Sequence, residues 1–98
     1  MKVTRIPEGE KLTLKIEGRL DTTTASILEN ELKDSIEGVK ELILDVTDME
    51  YISSAGLRVI LTAQQIMNRQ GSMVVKGANA NVVDIFEVTG FIDIINVE

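Results

Sequence analysis

Residues 45–61 read DVTDMEYISSAGLRVIL, and within them a strand-like pattern gives way to a helical one. The segment Glu41–Val46 is an apolar run rich in branched residues and too short for a helix, which predicts a strand buried on both faces. From Gly56 to Met67, apolar residues recur on one side of a 3.6-residue helix and polar residues lie on the other. We therefore expect the chain to pass from a buried strand into an amphipathic helix.

Two serines, Ser53 and Ser54, lie at the predicted start of this helix. Serine is favoured there because its hydroxyl can accept a hydrogen bond from a free backbone N–H of the first turn. The same position tolerates a phosphate, because a helix N-terminus favours negative charge. If Ser54 is the first helical residue, Arg58 lies one turn further on the same face, within reach of a phosphoryl oxygen. The pattern alone fits both a structural cap and a phosphorylation site.

The segment resembles the signature of the STAS domain, in particular that of the stand-alone anti-sigma factor antagonists of bacteria. In that family a buried strand ends in Asp followed by a small polar residue, and a loop leads to an Asp-Ser-Ser/Ala-Gly-Leu motif that opens a helix. The first Ser of the motif is phosphorylated by a partner kinase. In this chain the strand end corresponds to Asp45–Thr47 and the helix opening to Ser53–Leu57. The resemblance implies Ser54 as the phosphoacceptor and Ser53, which replaces the usual Asp, as the second choice.

The resemblance also implies a partner and a cycle. The unphosphorylated antagonist captures an anti-sigma factor that is itself an ATP-binding serine kinase, which frees the sigma factor. Phosphorylation of Ser54 breaks this contact, and a serine phosphatase resets the cycle. The chain would then be a substrate and not an enzyme, without catalytic residues. The resemblance and the flank of the helix together predict a partner surface made of Asp21, Thr22, Thr23, Ser53, Ser54, Ala55, Gly56, Leu57, Arg58 and Leu61.

Other functions remain open at this stage. Because Ser53 replaces the usual Asp, the chain could instead be a non-phosphorylated STAS scaffold subunit of a larger signalling or lipid-transport assembly. A receiver-type phosphoacceptor at Asp45 is disfavoured, because the first strand is not followed by the acidic pair that holds Mg²⁺ in such domains. An enzyme using Asp45, Asp48 or Glu50 as acid or base is disfavoured, because no nucleophile, metal cluster or phosphate-binding glycine loop accompanies them.

The composition excludes several classes of function. The chain has 98 residues with no Cys and no His, so it has no disulfide, thiolate nucleophile, zinc–thiolate site or Ser-His-Asp triad. Its formal net charge of −6 disfavours nucleic acid and anionic membrane surfaces as partners. No apolar run has the length of a membrane span and no signal-peptide pattern opens the chain. We expect a cytoplasmic protein with no cofactor and no metal.

The rest of the pattern predicts one α/β domain over residues 1–98. Alternation in Leu12–Ile16, after a turn at Pro7–Glu10, predicts a hairpin with its apolar side chains inward. Asp21 or one of Thr22, Thr23 and Thr24 is expected to cap a helix that ends near Gly38, and a second glycine stop is expected at Gly71. Further elements are a strand over 72–77, a helix over 82–88 and a terminal strand or packing segment over 91–97. This order predicts a small, mixed, mostly parallel β-sheet covered by α-helices.

Overall fold

Strands and helices alternate along most of the chain in the computed structural model, which describes residues 1–98. The mixed α/β architecture predicted from the sequence is confirmed. The strands are β1 (Lys2–Glu8), β2 (Lys11–Leu20), β3 (Glu41–Asp45), β4 (Met49–Ile52) and β5 (Ser72–Lys76). The helices are α1 (Ala25–Ser35), α2 (Ser54–Gln70) and α3 (Ala80–Val88), and a 3₁₀ turn at Phe91–Asp93 follows them.

The sheet has the order β1-β2-β3-β5, with β4 paired to the end of β2. The hairpin between β1 and β2 is antiparallel, as predicted, and every other pairing is parallel. Helices α1 and α2 connect the parallel strands β2, β3 and β5. Because both crossovers run in the same direction and right-handed connections are the rule, the two helices cover the same face of the sheet.

The core lies between that face and the helices. The inward residues of β2, namely Leu12, Leu14 and Ile16, are at most 2% exposed, which confirms the alternation predicted for this strand. In β3, three consecutive residues from Leu42 to Leu44 are buried, as expected for a strand buried on both faces. One connected cluster of 24 buried residues, all apolar, joins the sheet to the three helices. The branched aliphatic side chains and Met supply nearly all of it, because the chain has only three aromatic residues.

One part of the chain differs from the prediction, and another matches one of the two predicted alternatives. We expected a loop between β3 and α2, but Met49–Ile52 forms the short strand β4, which pairs with residues 18–20 of β2. The pattern hid it because the register shifts between Gly18 and Arg19, so the alternation of buried and exposed side chains is interrupted. The terminal segment is a packing segment: it makes a 3₁₀ turn, buries Ile95 and forms a single bridge between Val97 and Val75.

Gly71 follows the end of α2, where a glycine stop was predicted, but the physical reason differs from the predicted one. Its backbone is extended, with φ of 178°, so no left-handed conformation requires glycine there. A Cβ atom on Gly71 would instead overlap the carbonyl oxygen of Lys40. The close approach allows the backbone N–H of Ser72 to donate to that carbonyl over 2.9 Å, which starts the pairing of β5 with β3.

Candidate functional site

The junction between β4 and α2 fixes the two serines in different roles. Ser53 is the N-cap of α2, and Ser54 is its first residue, as the sequence predicted. The hydroxyl oxygen of Ser53 accepts from the backbone N–H of Gly56 over 3.3 Å. Its own backbone N–H donates to the carbonyl of Leu20 over 2.8 Å, which holds the junction against the end of β2. Ser53 is therefore half-buried and occupied by capping, whereas the side chain of Ser54 is exposed.

The start of α2 favours negative charge at Ser54. The first turn of the helix contains no acidic residue that would repel an added anion. Helix N-termini carry partial positive charge from their unpaired N–H groups. Arg58 lies four residues further along the helix, is exposed, and forms no ion pair within the chain. A phosphate on Ser54 would lie near both the helix end and a free guanidinium.

Two residues of the predicted partner surface lie in the interior. Leu57 is 4% exposed and belongs to the core cluster, so its expected role in partner contact is corrected to packing. Gly56 is also buried, and a Cβ atom there would lie 2.7 Å from Cγ of Leu20. The first turn of α2 thus lies so close to the sheet at Leu57 and Gly56 that neither residue faces a partner. Ala55 and Leu61 are half-buried and remain at the margin of the surface.

The loop after β2 is held by Asp21. Its Oδ1 atom accepts from the backbone N–H groups of Thr23 and Thr24 and from the hydroxyl of Thr23, over 3.0, 3.1 and 2.7 Å. The hydrogen bond from the Thr23 hydroxyl is the main reason why the pKa of Asp21 lies below its usual value. Asp21 thus organises the turn that leads into α1, while Thr22 and Thr23 stay exposed. Because Leu20 is bonded to Ser53, this loop lies beside the serine junction.

Asp45 and Asp48, at and after the end of β3, have partners within the chain. At the end of β3, Asp45 accepts from the backbone N–H and the hydroxyl of Thr47 over 3.0 and 2.7 Å. These bonds, the hydroxyl first, lower the pKa of Asp45. Asp48 is instead 3.5 Å from the amine of Lys15. The chain contains no group of three or more Asp or Glu side chains close enough together to hold a metal ion.

Comparison with known proteins identifies the family of this fold and site. The sequence profile of the STAS domain matches residues 2–98, which is nearly the whole chain. This chain belongs to the STAS domain family. The match includes the strand-to-helix junction described above and confirms the family that the resemblance of residues 45–61 implied.

Relatives of this STAS domain include two proteins named for the same kind of activity. A candidate anti-sigma factor antagonist of Bordetella bronchiseptica, BtrV, is 35% identical over 96% of this chain and 83% of its own length. The anti-sigma-B factor antagonist of Listeria monocytogenes is 30% identical over 93% of this chain and 82% of its own length. Among solved structures, a Thermotoga maritima protein described as a candidate anti-sigma factor antagonist superposes with a TM-score of 0.89. It is 18% identical and covers 97% of this chain and 84% of that one, which supports the fold alone.

The structure shows a pair of residues near the serine junction that the sequence analysis did not single out. Arg19 and Tyr51 are partners in the pairing of β2 with β4, and the guanidinium of Arg19 lies 4.5 Å from the centroid of the Tyr51 ring. Recognising them from sequence would have required recognising β4, because only that strand places Tyr51 beside Arg19. None of the helices in this STAS domain combines the length and the apolar character needed to cross a membrane.

Proposed function

We propose that this STAS domain is an anti-sigma factor antagonist whose binding to its partner is switched by phosphorylation of Ser54. The relatives from Bordetella and Listeria, which it matches over most of its length, are named as an anti-sigma factor antagonist and an anti-sigma-B factor antagonist. The main structural support for this switch is that the two serines at the junction between β4 and α2 have different roles. Ser53 caps α2 through its hydroxyl, and Ser54 presents an exposed hydroxyl one residue later.

The physical basis of the switch is the position of the added charge. A phosphate on Ser54 adds about −1.5 to −2 charges at neutral pH. The N-terminus of α2 and the nearby Arg58 accommodate this charge, so the domain stays folded. A partner that covers the same surface must bury the dianion or lie against it, which costs desolvation and repulsion. Phosphorylation therefore changes association while the fold survives.

Ser54 is a better acceptor than Ser53 for a structural reason. A kinase must reach the hydroxyl and orient it toward the γ-phosphate of ATP. Ser54 is exposed on the first turn of α2, whereas Ser53 is half-buried and its oxygen accepts from Gly56. Modifying Ser53 would require this cap to open. Ser54 is therefore the proposed site of modification, and Ser53 has a structural role.

In this proposal the domain is a substrate and a binding partner rather than a catalyst. Its unphosphorylated form captures an anti-sigma factor with serine kinase activity in the cytoplasm, and the sigma factor is released. The kinase modifies Ser54, the complex dissociates, and a serine phosphatase restores the binding form. The contact surface consists of the Asp21 loop with Thr22 and Thr23, the exposed parts of Ser53 and Ser54, the margin formed by Ala55 and Leu61, and Arg58.

The test combines phosphorylation with site mapping. We would incubate the chain with ATP and the candidate anti-sigma kinase encoded in the same genome, and locate any phosphate by mass spectrometry. The wild type and Ser53→Ala are expected to carry one phosphate on Ser54, and Ser54→Ala is expected to carry none. A phosphate on Ser53 would contradict the assignment. Partner binding without any phosphate on either serine would favour the scaffold function, which Ser53 at the position of the usual Asp had left open.

A further inference from the structure

Arg19 and Tyr51 form an exposed pair that the proposed switch does not use. Their neighbours in the two strands, Leu20 and Ile52, are 0% and 1% exposed and belong to the core. Successive side chains of a strand point to opposite faces, so Arg19 and Tyr51 point outward. The side chain of Arg19 is 59% exposed, and Tyr51 is 38% exposed. Most of the Arg19 side chain and more than a third of the Tyr51 surface are therefore exposed to solvent.

The pair lies directly beside the serine junction. Tyr51 precedes Ser53 by two residues, which corresponds to about 7 Å along an extended strand. The backbone N–H of Ser53 donates to the carbonyl of Leu20, the residue after Arg19. The Nε atom of Arg19 lies 3.9 Å from a carboxylate oxygen of Asp21, which connects the pair to the Asp21 loop. Arg19 and Tyr51 thus lie next to the Asp21 loop and the backbone of the serine junction, on the side of the strands opposite to Leu20 and Ile52, which contact α2 at Gly56.

Packing does not account for these two residues. Neither belongs to the core cluster, and a solvent-exposed cation–π contact adds little stability. The chain has three aromatic residues: Tyr51, which is exposed, Phe86, which is buried, and Phe91, which is half-buried. Tyr and Arg are the residue types enriched in the few positions that carry most of the affinity of protein interfaces. Stacking on the ring also restricts the guanidinium before a partner arrives, which lowers the entropy lost on binding.

We propose that Arg19 and Tyr51 anchor the interface with the anti-sigma factor. The Tyr51 ring receives an apolar side chain, and the terminal nitrogens of Arg19 bind a carboxylate of the partner. The Nε atom faces Asp21, so the two terminal nitrogens are available for a two-point contact with a carboxylate. The net charge of −6 disfavours a strongly acidic partner face, so we expect an isolated acidic side chain of the partner at this contact. This inference rests on the proposed function and names the residues that give it affinity.

The test measures the affinity of the full, unphosphorylated chain for the anti-sigma kinase from the same genome by isothermal titration calorimetry. Tyr51→Ala is expected to bind about 30-fold more weakly, the loss typical of an interface anchor. Tyr51→Phe should bind like the wild type because the ring is retained. Arg19→Lys should bind about tenfold more weakly, because an ammonium group cannot replace the two-point contact. Val88→Ala, at an 84% exposed site on α3, is the control and should have wild-type affinity.

The outcomes separate this inference from the proposed function. Thermal denaturation should give the wild-type Tm for all four variants. If Tyr51→Ala has a lowered Tm, the affinity of Arg19→Lys is used instead to test the anchor. Wild-type affinity of both Tyr51→Ala and Arg19→Lys, with weakened binding by Ser54→Asp, would overturn the anchor and leave the switch intact. An absence of binding by the wild-type chain itself would overturn both.

Discussion

Replacing Ser54 by aspartate should separate the stability of the fold from binding to the partner. Ser54 opens α2, the first turn has no acidic residue, and Arg58 follows four residues later. A carboxylate there interacts favourably with the helix dipole and with Arg58, and together these effects add about 0.7 kcal/mol to the free energy of unfolding at low salt. For 98 residues, at about 2.1 cal/mol/K of unfolding entropy per residue, Tm should rise by about 3 °C.

The same carboxylate should weaken capture of the anti-sigma factor by about tenfold or more, because it lies within the proposed contact surface. Thermal denaturation followed by circular dichroism measures the first effect, and titration calorimetry measures the second. The gain in Tm should shrink at about 1 M salt, where exposed charges are screened. Ser54→Asn is the matched control, since it has nearly the same size as aspartate without the charge. A fall in Tm that parallels the loss of binding would show that Ser54 is a structural residue and would refute the switch.

Three further outcomes follow from the same geometry. Ser53→Ala should lower the free energy of unfolding by about 1 kcal/mol and Tm by about 5 °C, because the hydrogen bond from the Gly56 N–H is lost. Ser53→Asp should retain the cap and the wild-type Tm, and thermal denaturation of both variants measures the difference. Leu57→Ala should cost about 2–5 kcal/mol in urea denaturation because Leu57 is buried, whereas the exposed Arg58→Ala should cost little; equal costs would contradict the placement of Leu57 in the core. The hydrogen bond from the Thr47 hydroxyl is the main reason why the pKa of Asp45 is lower in the folded state than in the unfolded state. The ionised Asp45 therefore stabilises the fold above the unfolded pKa of about 3.9, and this stabilisation is lost as pH falls through the folded pKa. The difference in urea midpoint between wild type and Thr47→Val should therefore be largest near neutral pH and shrink below about pH 4, and a difference that is constant with pH would exclude Asp45 as its source.

The parts of the structure with strong periodicity could be predicted from the sequence. The alternation in β2, the buried run of β3 and the start of α2 at Ser54 all follow from local patterns that tertiary packing reinforces. The short strand β4 could not be predicted, because it exists only through its irregular pairing with β2. Local sequence also does not show which other strands and helices pack against a given helix. The burial of Leu57 depends on how closely α2 approaches Leu20 and Ile52, which is set by the absence of a side chain at Gly56.

The site was predicted in part for the same reason. Ser53, Ser54 and Arg58 are close in sequence, so a single helical turn brings them together. Arg19 and Tyr51 are distant in sequence and meet only because β4 lies beside the end of β2. Whether such a pair exists depends on sheet topology, which one sequence does not reveal. From sequence alone, Tyr51 belongs to the loop that we expected between β3 and α2.

The hydrogen bond from Ser53 to Leu20 joins two stretches that are more than thirty positions apart in the chain. This bond and the pairing of β2 with β4 hold residues 18–21 and 49–54 together, so we expect each segment to depend on the other for its conformation. A chimera that exchanged only the serine-bearing half between two paralogues would inherit a mismatched support and a displaced hydroxyl. Redirecting such a domain to a new regulatory circuit would require transplanting both halves together.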